Sequence, residues 1–273
     1  ISYTLDEMIF SMICLFLVMN PLKALYYTVN HSKSTSMSSD QENLKRQSAA
    51  KALDIILPKL YEDSIIGIGT GSTVDLFIEM LAEKNPVFKA AVSSSERSSK
   101  LLEQKGIEVS LLNDVGGPDI YVDGADEYDD KKQLIKGGGG ALTREKIIAY
   151  SAREFICIVD ESKKVNRLGA FPLAIEVLEY ARSFVAREIV KLGGKPTYRT
   201  GFVTDQGNQI LDVLNLDYAV PYELEIRLNR IPGVVENGIF AQKTATKVVV
   251  ATQNGVEVIA VSYTHLRAHE TEA

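Results

Sequence analysis

A run of four glycines, followed by a glutamate in a predicted helix, is the segment best suited to chemistry. Gly137 to Gly140 let the backbone approach a ligand closely just before the helix begins. In that helix Glu145 comes four residues after Ala141 and three before Ile148, so its carboxylate has small or apolar neighbours on one face. Partial desolvation raises the pKa of a carboxylate, as a general base working near neutrality requires. Glu145 is therefore a candidate base, and the alternative is a first-turn glutamate that only complements the helix dipole.

Three acidic residues follow a predicted buried strand, Ile120 to Val122. Asp123, Asp126 and Glu127 would thus lie at the carboxyl edge of the sheet, where open α/β proteins bind their ligands. A solvated loop or a helix N-cap is the ordinary alternative, because aspartate is a common cap residue. A metal site with Asp123 and Asp126 as oxygen ligands is a further alternative. We predict that no metal is bound.

A second glycine-rich segment, Gly67 to Thr73, joins a predicted strand to a predicted helix. Backbone amides can close around an anion there, and the helix N-terminus favours negative charge, so a phosphate or a carboxylate is the natural ligand. Ser93 to Ser95, at the end of the next strand, would add hydroxyl donors. A plain tight turn is the alternative. The segment lacks both the Gly-Lys-Ser/Thr of a nucleotide loop and the G-x-G-x-x-G spacing of a dinucleotide loop.

The composition excludes several classes of catalyst and partner. The chain has 273 residues, 45% of them hydrophobic, and a formal net charge of −6, which indicates a globular protein without a basic stripe for nucleic acid. Residues 32–264 contain no histidine and one cysteine, Cys157. The usual zinc ligand sets, a Ser/His triad and a Cys/His pair are therefore excluded there, and carboxylates, lysines and the backbone must do the chemistry. The lack of a disulfide framework indicates a reducing compartment.

The order of predicted elements indicates an α/β protein with two domains. From residue 64, short β-branched runs alternate with helical patterns, which is typical of a mostly parallel sheet. Later the order becomes β-α-β-β-α-β, the ferredoxin-like arrangement. We predict a Rossmann-like main domain over residues 37–170 and 244–261, and a smaller ferredoxin-like α+β domain over residues 171–243. Ile107 to Leu111 is a predicted strand of the first domain, and Val234 to Phe240 is one of the second.

The two ends of the chain differ from its middle. Met8 to Met19 is an apolar run too short for a membrane span, and the acids Asp6 and Glu7 before it fit a secretory signal poorly. We therefore predict no membrane partner. Residues 1–36 and 262–273 are expected to be extensions without a function.

Taken together, these segments resemble the type A ribose-5-phosphate isomerases. The motifs that carry the likeness are G-T-G-S-T, Y-V-D-G-A-D-E, I-K-G-G-G-G-A-L-T-R-E-K, F-P-L-A-I-E-V and I-P-G-V-V, in the family's order between about Leu44 and Ala260. The family combines a Rossmann-like main domain with a smaller ferredoxin-like domain, in agreement with the pattern of elements. Ala174 stands where the family often has a second proline, away from the proposed site.

The resemblance implies a set of site residues, position by position. Glu145 would be the base, Lys136 and the glycine amides would stabilise an oxyanion, and Asp123 would transfer a proton during opening of the sugar ring. The residues that would contact the sugar or its phosphate are Thr70, Gly71, Ser72, Thr73, Asp123, Gly124, Ala125, Asp126, Lys136, Gly137, Gly138, Gly139 and Lys163.

The activity that the resemblance implies is the interconversion of ribose 5-phosphate and ribulose 5-phosphate through an enediolate, in the non-oxidative pentose phosphate pathway. It implies no metal or other cofactor, and a cytoplasmic homo-oligomer, either a dimer or a tetramer. A sugar-phosphate sensor is the rival from another class. That rival needs a DNA-binding module, but the residues before Ser64 offer one helix, near Asn43 to Ile56, and no basic recognition helix. A nicotinamide dehydrogenase would need the missing dinucleotide loop.

Overall fold

The main sheet of this computed structural model, which describes residues 40–260, has six strands in the order β13-β12-β6-β3-β1-β2. All neighbours in it run parallel except the hairpin of β12 and β13, which is antiparallel. The carboxyl ends of β1 and β3 therefore lie side by side at one edge of the sheet. The strands are β1 (Ile65–Ile68), β2 (Ala90–Ser93), β3 (Ile120–Asp123), β6 (Glu154–Asp160), β12 (Lys247–Thr252) and β13 (Gly255–Ala260).

Helices cover both faces of this sheet, as a buried parallel sheet requires. Side chains alternate along β1: Ile66 and Ile68 pack in the apolar cluster on one face, and Ile65 packs in the cluster on the other. The helices of this part are α1 (residues 40–56), α2 (Ser72–Lys84), α3 (Glu96–Gln104), α4 (Leu112–Val115) and α5 (Leu142–Ser151). No helix among residues 40–260 is long and apolar enough to cross a membrane.

A second sheet of four antiparallel strands has the order β10-β7-β9-β8. The first and second strands in the chain, β7 and β8, are separated by β9, which is the split arrangement of a ferredoxin-like unit. Its elements are β7 (Leu173–Val177), α6 (Arg182–Lys191), β8 (Lys195–Tyr198), β9 (Gln209–Leu214), α7 (Pro221–Asn229) and β10 (Val234–Asn237). The predicted fold class is thus confirmed. The domain boundaries at residues 170/171 and 243/244 stay predictions.

A third, small sheet links the other two and was not predicted. Its strands are β4 (Glu127–Tyr128), β5 (Leu134–Ile135) and β11 (Ile239–Phe240), in the order β11-β5-β4. The predicted single strand Val234 to Phe240 is wrong in this respect, because Gly238 interrupts it. The amide of Gly238 donates to the Ala174 carbonyl, and its carbonyl accepts from the Lys136 amide, so the chain passes from one sheet to the other there.

Two further differences from the sequence predictions concern the edge of the main sheet and the chain ends. Ile107 to Leu111 forms only an isolated bridge, between Val109 and Ala91, rather than a full strand. The short helix α4 follows at once and takes the chain away from β2. The apolar run Met8 to Met19 and the extensions 1–36 and 262–273 lie outside the described residues.

Candidate active site

Three buried charged side chains meet at the carboxyl edge of the main sheet. The ammonium of Lys136 lies 2.8 Å from Oδ2 of Asp123 and 3.1 Å from Oε2 of Glu145. The three residues are only 0% to 4% exposed. β3 ends at Asp123, β5 ends just before Lys136, and Glu145 lies in the first turn of α5. We call this set of Asp123, Lys136 and Glu145 the charged triad.

Glu145 has the environment of a proton acceptor. Its Oε2 is buried and accepts no well-directed hydrogen bond within the described chain, although Lys136 is near enough for an ion pair. Burial, and then the negative charge of Asp123, raise the pKa of Glu145 to about 8, while Lys136 acts in the opposite direction. A buried carboxylate with a raised pKa is suited to take up and return a proton near neutral pH.

Lys136 is a fixed cation. Burial alone would lower the pKa of this ammonium, but the carboxylates of Asp123 and Glu145 outweigh burial, so the pKa lies above its usual range. Its ammonium also donates to the carbonyl of Gly124 at 2.5 Å. Lys136 therefore stays charged and can stabilise an oxyanion beside Glu145.

Asp123 is held by donors on both of its oxygens. Oδ1 accepts the amides of Thr70 at 3.1 Å and of Gly124 at 2.7 Å, and Oδ2 accepts the hydroxyl of Tyr121 as well as contacting Lys136. A Cβ atom on Gly69 would lie 1.9 Å from Cγ of Asp123, so only glycine allows this close approach. Because these donors surround Asp123, the geometry favours an acid–base or orienting role over a metal ligand.

The glycine-rich loop before α5 is anchored by Asp126, which is a second predicted site residue. Its Oδ2 accepts the amide of Gly138 at 2.8 Å. Gly137 and Gly140 have φ angles of +107° and +81°, in the region that favours glycine, and the amide of Gly140 donates to the carbonyl of Gly137. Gly138 and Gly139 are exposed and can be reached by a ligand. Gly124 and Ala125, between Asp123 and Asp126, are half-buried.

The predicted anion loop leads from β1 into α2 beside the charged triad. Gly71 has a φ angle of +136° and is the N-cap of α2, so Ser72 and Thr73 form the first turn of that helix. The hydroxyl of Thr70 is hydrogen-bonded to those of Ser94 and Ser95. The phosphate contact of Thr70 to Thr73 stays a prediction.

Lys45 is a candidate phosphate ligand that sequence reasoning missed. Its ammonium in α1 donates to the hydroxyl of Ser72 at 3.0 Å and so places a cation beside the anion loop. The only signal in the sequence is a lysine in a helix before the loop, which is too common to indicate a site.

Lys163 is the predicted residue that the structure does not join to the others. It lies in a 3₁₀ turn, Glu161–Lys163, after β6, and no hydrogen bond or ion pair within residues 40–260 connects it to the charged triad. The neighbouring Lys164 is paired with Asp130 at 3.0 Å. The substrate role of Lys163 stays a prediction.

The fold and this site together define a class of protein. The carboxyl edge of the main sheet carries the predicted anion loop, a buried carboxylate of raised pKa and a buried lysine. This combination is typical of an α/β enzyme that moves protons on an anionic substrate.

Comparisons with known proteins identify the family. Residues 90–255 match the family model described as ribose 5-phosphate isomerase A (phosphoriboisomerase A). The ribose-5-phosphate isomerase A of Legionella pneumophila (strain Corby) is 58% identical over 206 residues, which are 76% of this chain and 95% of that protein. The chain therefore belongs to the ribose 5-phosphate isomerase A family.

Solved structures agree with this assignment. The crystal structure of ribose 5 phosphate isomerase A from Neisseria gonorrhoeae has a TM-score of 0.77 and 46% identity, covering 81% of this chain and 97% of that one. A D-ribose-5-phosphate isomerase in complex with phospho-erythronic acid has a TM-score of 0.75 and 39% identity, covering 81% of this chain and 99% of that one.

Proposed function

We propose that this chain interconverts ribose 5-phosphate and ribulose 5-phosphate. The observation that carries the proposal is the buried carboxylate of Glu145, whose Oε2 lies 3.1 Å from the ammonium of Lys136. The family assignment supplies the substrate. A similar structure is described in complex with phospho-erythronic acid, a phosphorylated sugar acid, which supports a site for a linear sugar phosphate.

In the proposed mechanism, Glu145 moves one proton between two carbons. Its carboxylate removes the proton from C2 of the open-chain aldose, and the electron pair forms the C1–C2 double bond while O1 becomes an oxyanion. Lys136 and the glycine-loop amides stabilise that charge, which is larger in the transition state than in the substrate. Glu145 then delivers its proton to C1, the hydroxyl proton passes from O2 to O1, and O2 becomes the carbonyl of the ketose.

The other predicted residues bind and prepare the substrate. Thr70 to Thr73, together with Lys45, would hold the phosphate at the N-terminus of α2. Asp123 would exchange a proton with the ring oxygen or its hydroxyl during ring opening. Asp126 would hold the glycine loop and contact the sugar.

The direct test is incubation of the full chain with ribose 5-phosphate in D₂O. We expect ketose to form and deuterium to appear at C2 of the remaining aldose, because a single base exchanges its proton with solvent during the reaction. Failure to form ketose would refute the proposed function.

The pH dependence of kcat/KM should report the ionisation of Glu145. The base must be ionised to accept a proton, and the pKa of Glu145 is raised to about 8, mainly by burial. We therefore expect kcat/KM to fall tenfold per pH unit below about 8 and to level off above it, as measured in buffers of constant ionic strength. A flat profile from pH 5 to 8 would contradict this assignment.

Activity should survive exhaustive treatment with a chelator. The lysine ammonium of the charged triad occupies the position where a metal would have to approach Asp123. A loss of turnover that an added divalent cation restores would instead make Asp123 and Asp126 metal ligands.

The state of assembly and the compartment also belong to the proposal. Exposed apolar side chains in α6 and just before it, such as Leu178, Tyr180 and Val190, support a homo-oligomer, either a dimer or a tetramer. A cytoplasmic location is what the family resemblance implies. Light scattering during size-exclusion chromatography would give the number of chains, and a monomer at micromolar concentration would contradict this part.

A further inference from the structure

An arginine from the ferredoxin-like sheet reaches the glycine loop of the active site. Nη1 of Arg199, which follows β8, donates to the carbonyls of Gly137 and Gly138, both at 3.2 Å. The proposed mechanism gives this residue no part, since its charge lies on the carbonyl side of the loop.

The guanidinium of Arg199 is rigidly held. Asp212 in β9 accepts its Nε at 2.8 Å and its Nη2 at 2.5 Å, a two-point pairing that fixes the plane of the guanidinium. The ring of Phe202 lies 5.3 Å from it on another side. The same ring packs against Gly140, where a Cβ atom would come within 2.1 Å of it. The glycine loop is thus attached at both of its ends to the segment between β8 and β9 of the ferredoxin-like sheet.

Because the peptide unit is planar, the two carbonyl contacts also fix the direction of the Gly138 and Gly139 amides. In a trans peptide unit the carbonyl and the next N–H point in opposite directions. Because Arg199 holds the carbonyls of Gly137 and Gly138, the amides of Gly138 and Gly139 must point away from it. The first amide agrees with this, since it donates to Asp126 on the opposite side.

Among the amides of Gly138, Gly139 and Gly140, that of Gly139 is available to a ligand, because the other two donate within the loop and to Asp126. No acceptor for it is found within residues 40–260, and its position is exposed. By the same peptide geometry the Gly139 amide points away from Arg199, to the side on which the Gly138 amide meets Asp126. An unpaired backbone donor at such a place is suited to an oxygen that gains charge during the reaction.

We propose that Arg199, held by Asp212, is a positioning residue that orients the Gly138–Gly139 peptide so that the Gly139 amide meets the developing oxyanion. The proposal rests on the isomerase function above for the identity of that oxyanion. It assigns the ferredoxin-like sheet a part in catalysis. In this role neither Arg199 nor Asp212 would touch the substrate.

The test compares Arg199→Lys with Arg182→Lys. Arg182 is a matched control, because its guanidinium also stacks on an aromatic ring, that of Tyr198 at 4.2 Å, and also bonds a side chain of β9, Gln209. No hydrogen bond or ion pair in the described chain joins Arg182 to the glycine loop. Lysine keeps the positive charge at either position but lacks the planar guanidinium that makes several directed hydrogen bonds at once.

We expect Arg199→Lys to lower kcat about 10- to 100-fold with KM within about threefold, as for a misplaced oxyanion donor. Arg182→Lys should stay within twofold in both constants. The melting temperatures of the two variants should agree, and the pH at which kcat/KM levels off should not move, because Arg199 contacts no member of the charged triad. Asp212→Asn should reproduce the kcat loss in part, since one of the two fixed contacts to Arg199 is weakened.

Equal kcat values for the two lysine variants, or a loss confined to KM or to melting temperature, would overturn the proposal. Hydrogen exchange separates it from the proposed function, because it needs no substrate. The amides of Gly138 and Gly140 are bonded in the native loop and should exchange faster in Arg199→Lys than in wild type or Arg182→Lys. Unchanged exchange would refute the positioning role even in an active isomerase, whereas an inactive wild-type chain would refute the function alone.

Discussion

Glu145→Gln is expected to lower turnover about 10²- to 10⁴-fold while the KM for ribose 5-phosphate stays within a few-fold. That factor is the usual contribution of a positioned general base. Glutamine keeps the size of the side chain but cannot accept the C2 proton, and the phosphate loop is untouched. Steady-state kinetics above pH 8, where the wild-type base is ionised, measure the full effect.

Stability gives a second readout for the same variant. Because burial raises the folded-state pKa of Glu145 from 4.5 to about 8, the folded protein holds this proton more tightly than the unfolded chain does. Ionisation of Glu145 therefore costs stability progressively as the pH rises from about 4.5 to about 8. Glu145→Gln should consequently melt no lower than wild type at pH 8.

Glu223 supplies the control, because it is a first-turn glutamate of α7 that is exposed and far from the charged triad in sequence. Glu223→Gln should leave turnover unchanged. If Glu145→Gln kept more than half of the wild-type turnover, Glu145 would only complement the dipole of α5. The base would then have to be sought at Asp123 or Asp126, by the loss of deuterium exchange at C2.

Lys136→Met should lower both turnover and stability. Loss of an oxyanion donor lowers turnover about 10²- to 10³-fold. The Asp123 carboxylate would also remain buried without its cation, and breaking a buried ion pair in this way costs about 3–5 kcal/mol of unfolding free energy. Since the lysine charge lowers the pKa of Glu145, its removal should move the acid limb of the kcat/KM profile to higher pH. Urea denaturation and the pH profile measure the two effects.

Lys146→Met is the control that separates the loss of turnover from the loss of stability. Lys146 is buried in the next position of α5 and contacts Glu225 and Glu236, each at 2.9 Å, so its removal should destabilise the fold by a similar amount. Its ammonium contacts no member of the charged triad, and turnover of the folded variant should stay within a few-fold. Equal losses of turnover in both lysine variants would show that Lys136 acts only through stability.

Much of the fold follows from local pattern. The sequence predicts the alternation of strands and helices in the main sheet, and the split β-α-β-β-α-β order of the second. The helix α7 (Pro221–Asn229) depends on local signals too, because it has a proline at its first position and an apolar spacing after it. The strands β4 and β5 have two residues each, which is too short for any periodicity to show.

By itself the sequence predicted the apolar surroundings of Glu145 and the accessibility of the loop before it. Helix spacing set its carboxylate among apolar neighbours, and the structure agrees, since burial is the first cause of its raised pKa. The four glycines likewise predicted a backbone open to a ligand, and Gly138 and Gly139 are exposed. These properties depend on residues within a few positions of each other, so local geometry is sufficient to derive them.

Only the tertiary structure decided how the site is held together. Lys136 reaches Asp123 and Glu145 because β5 pairs with β11, which comes from a part of the chain about a hundred residues later. Arg199 meets the glycine loop from a separate sheet. Such contacts depend on the packing of distant segments, and no period or spacing along one segment records which other segment it will meet.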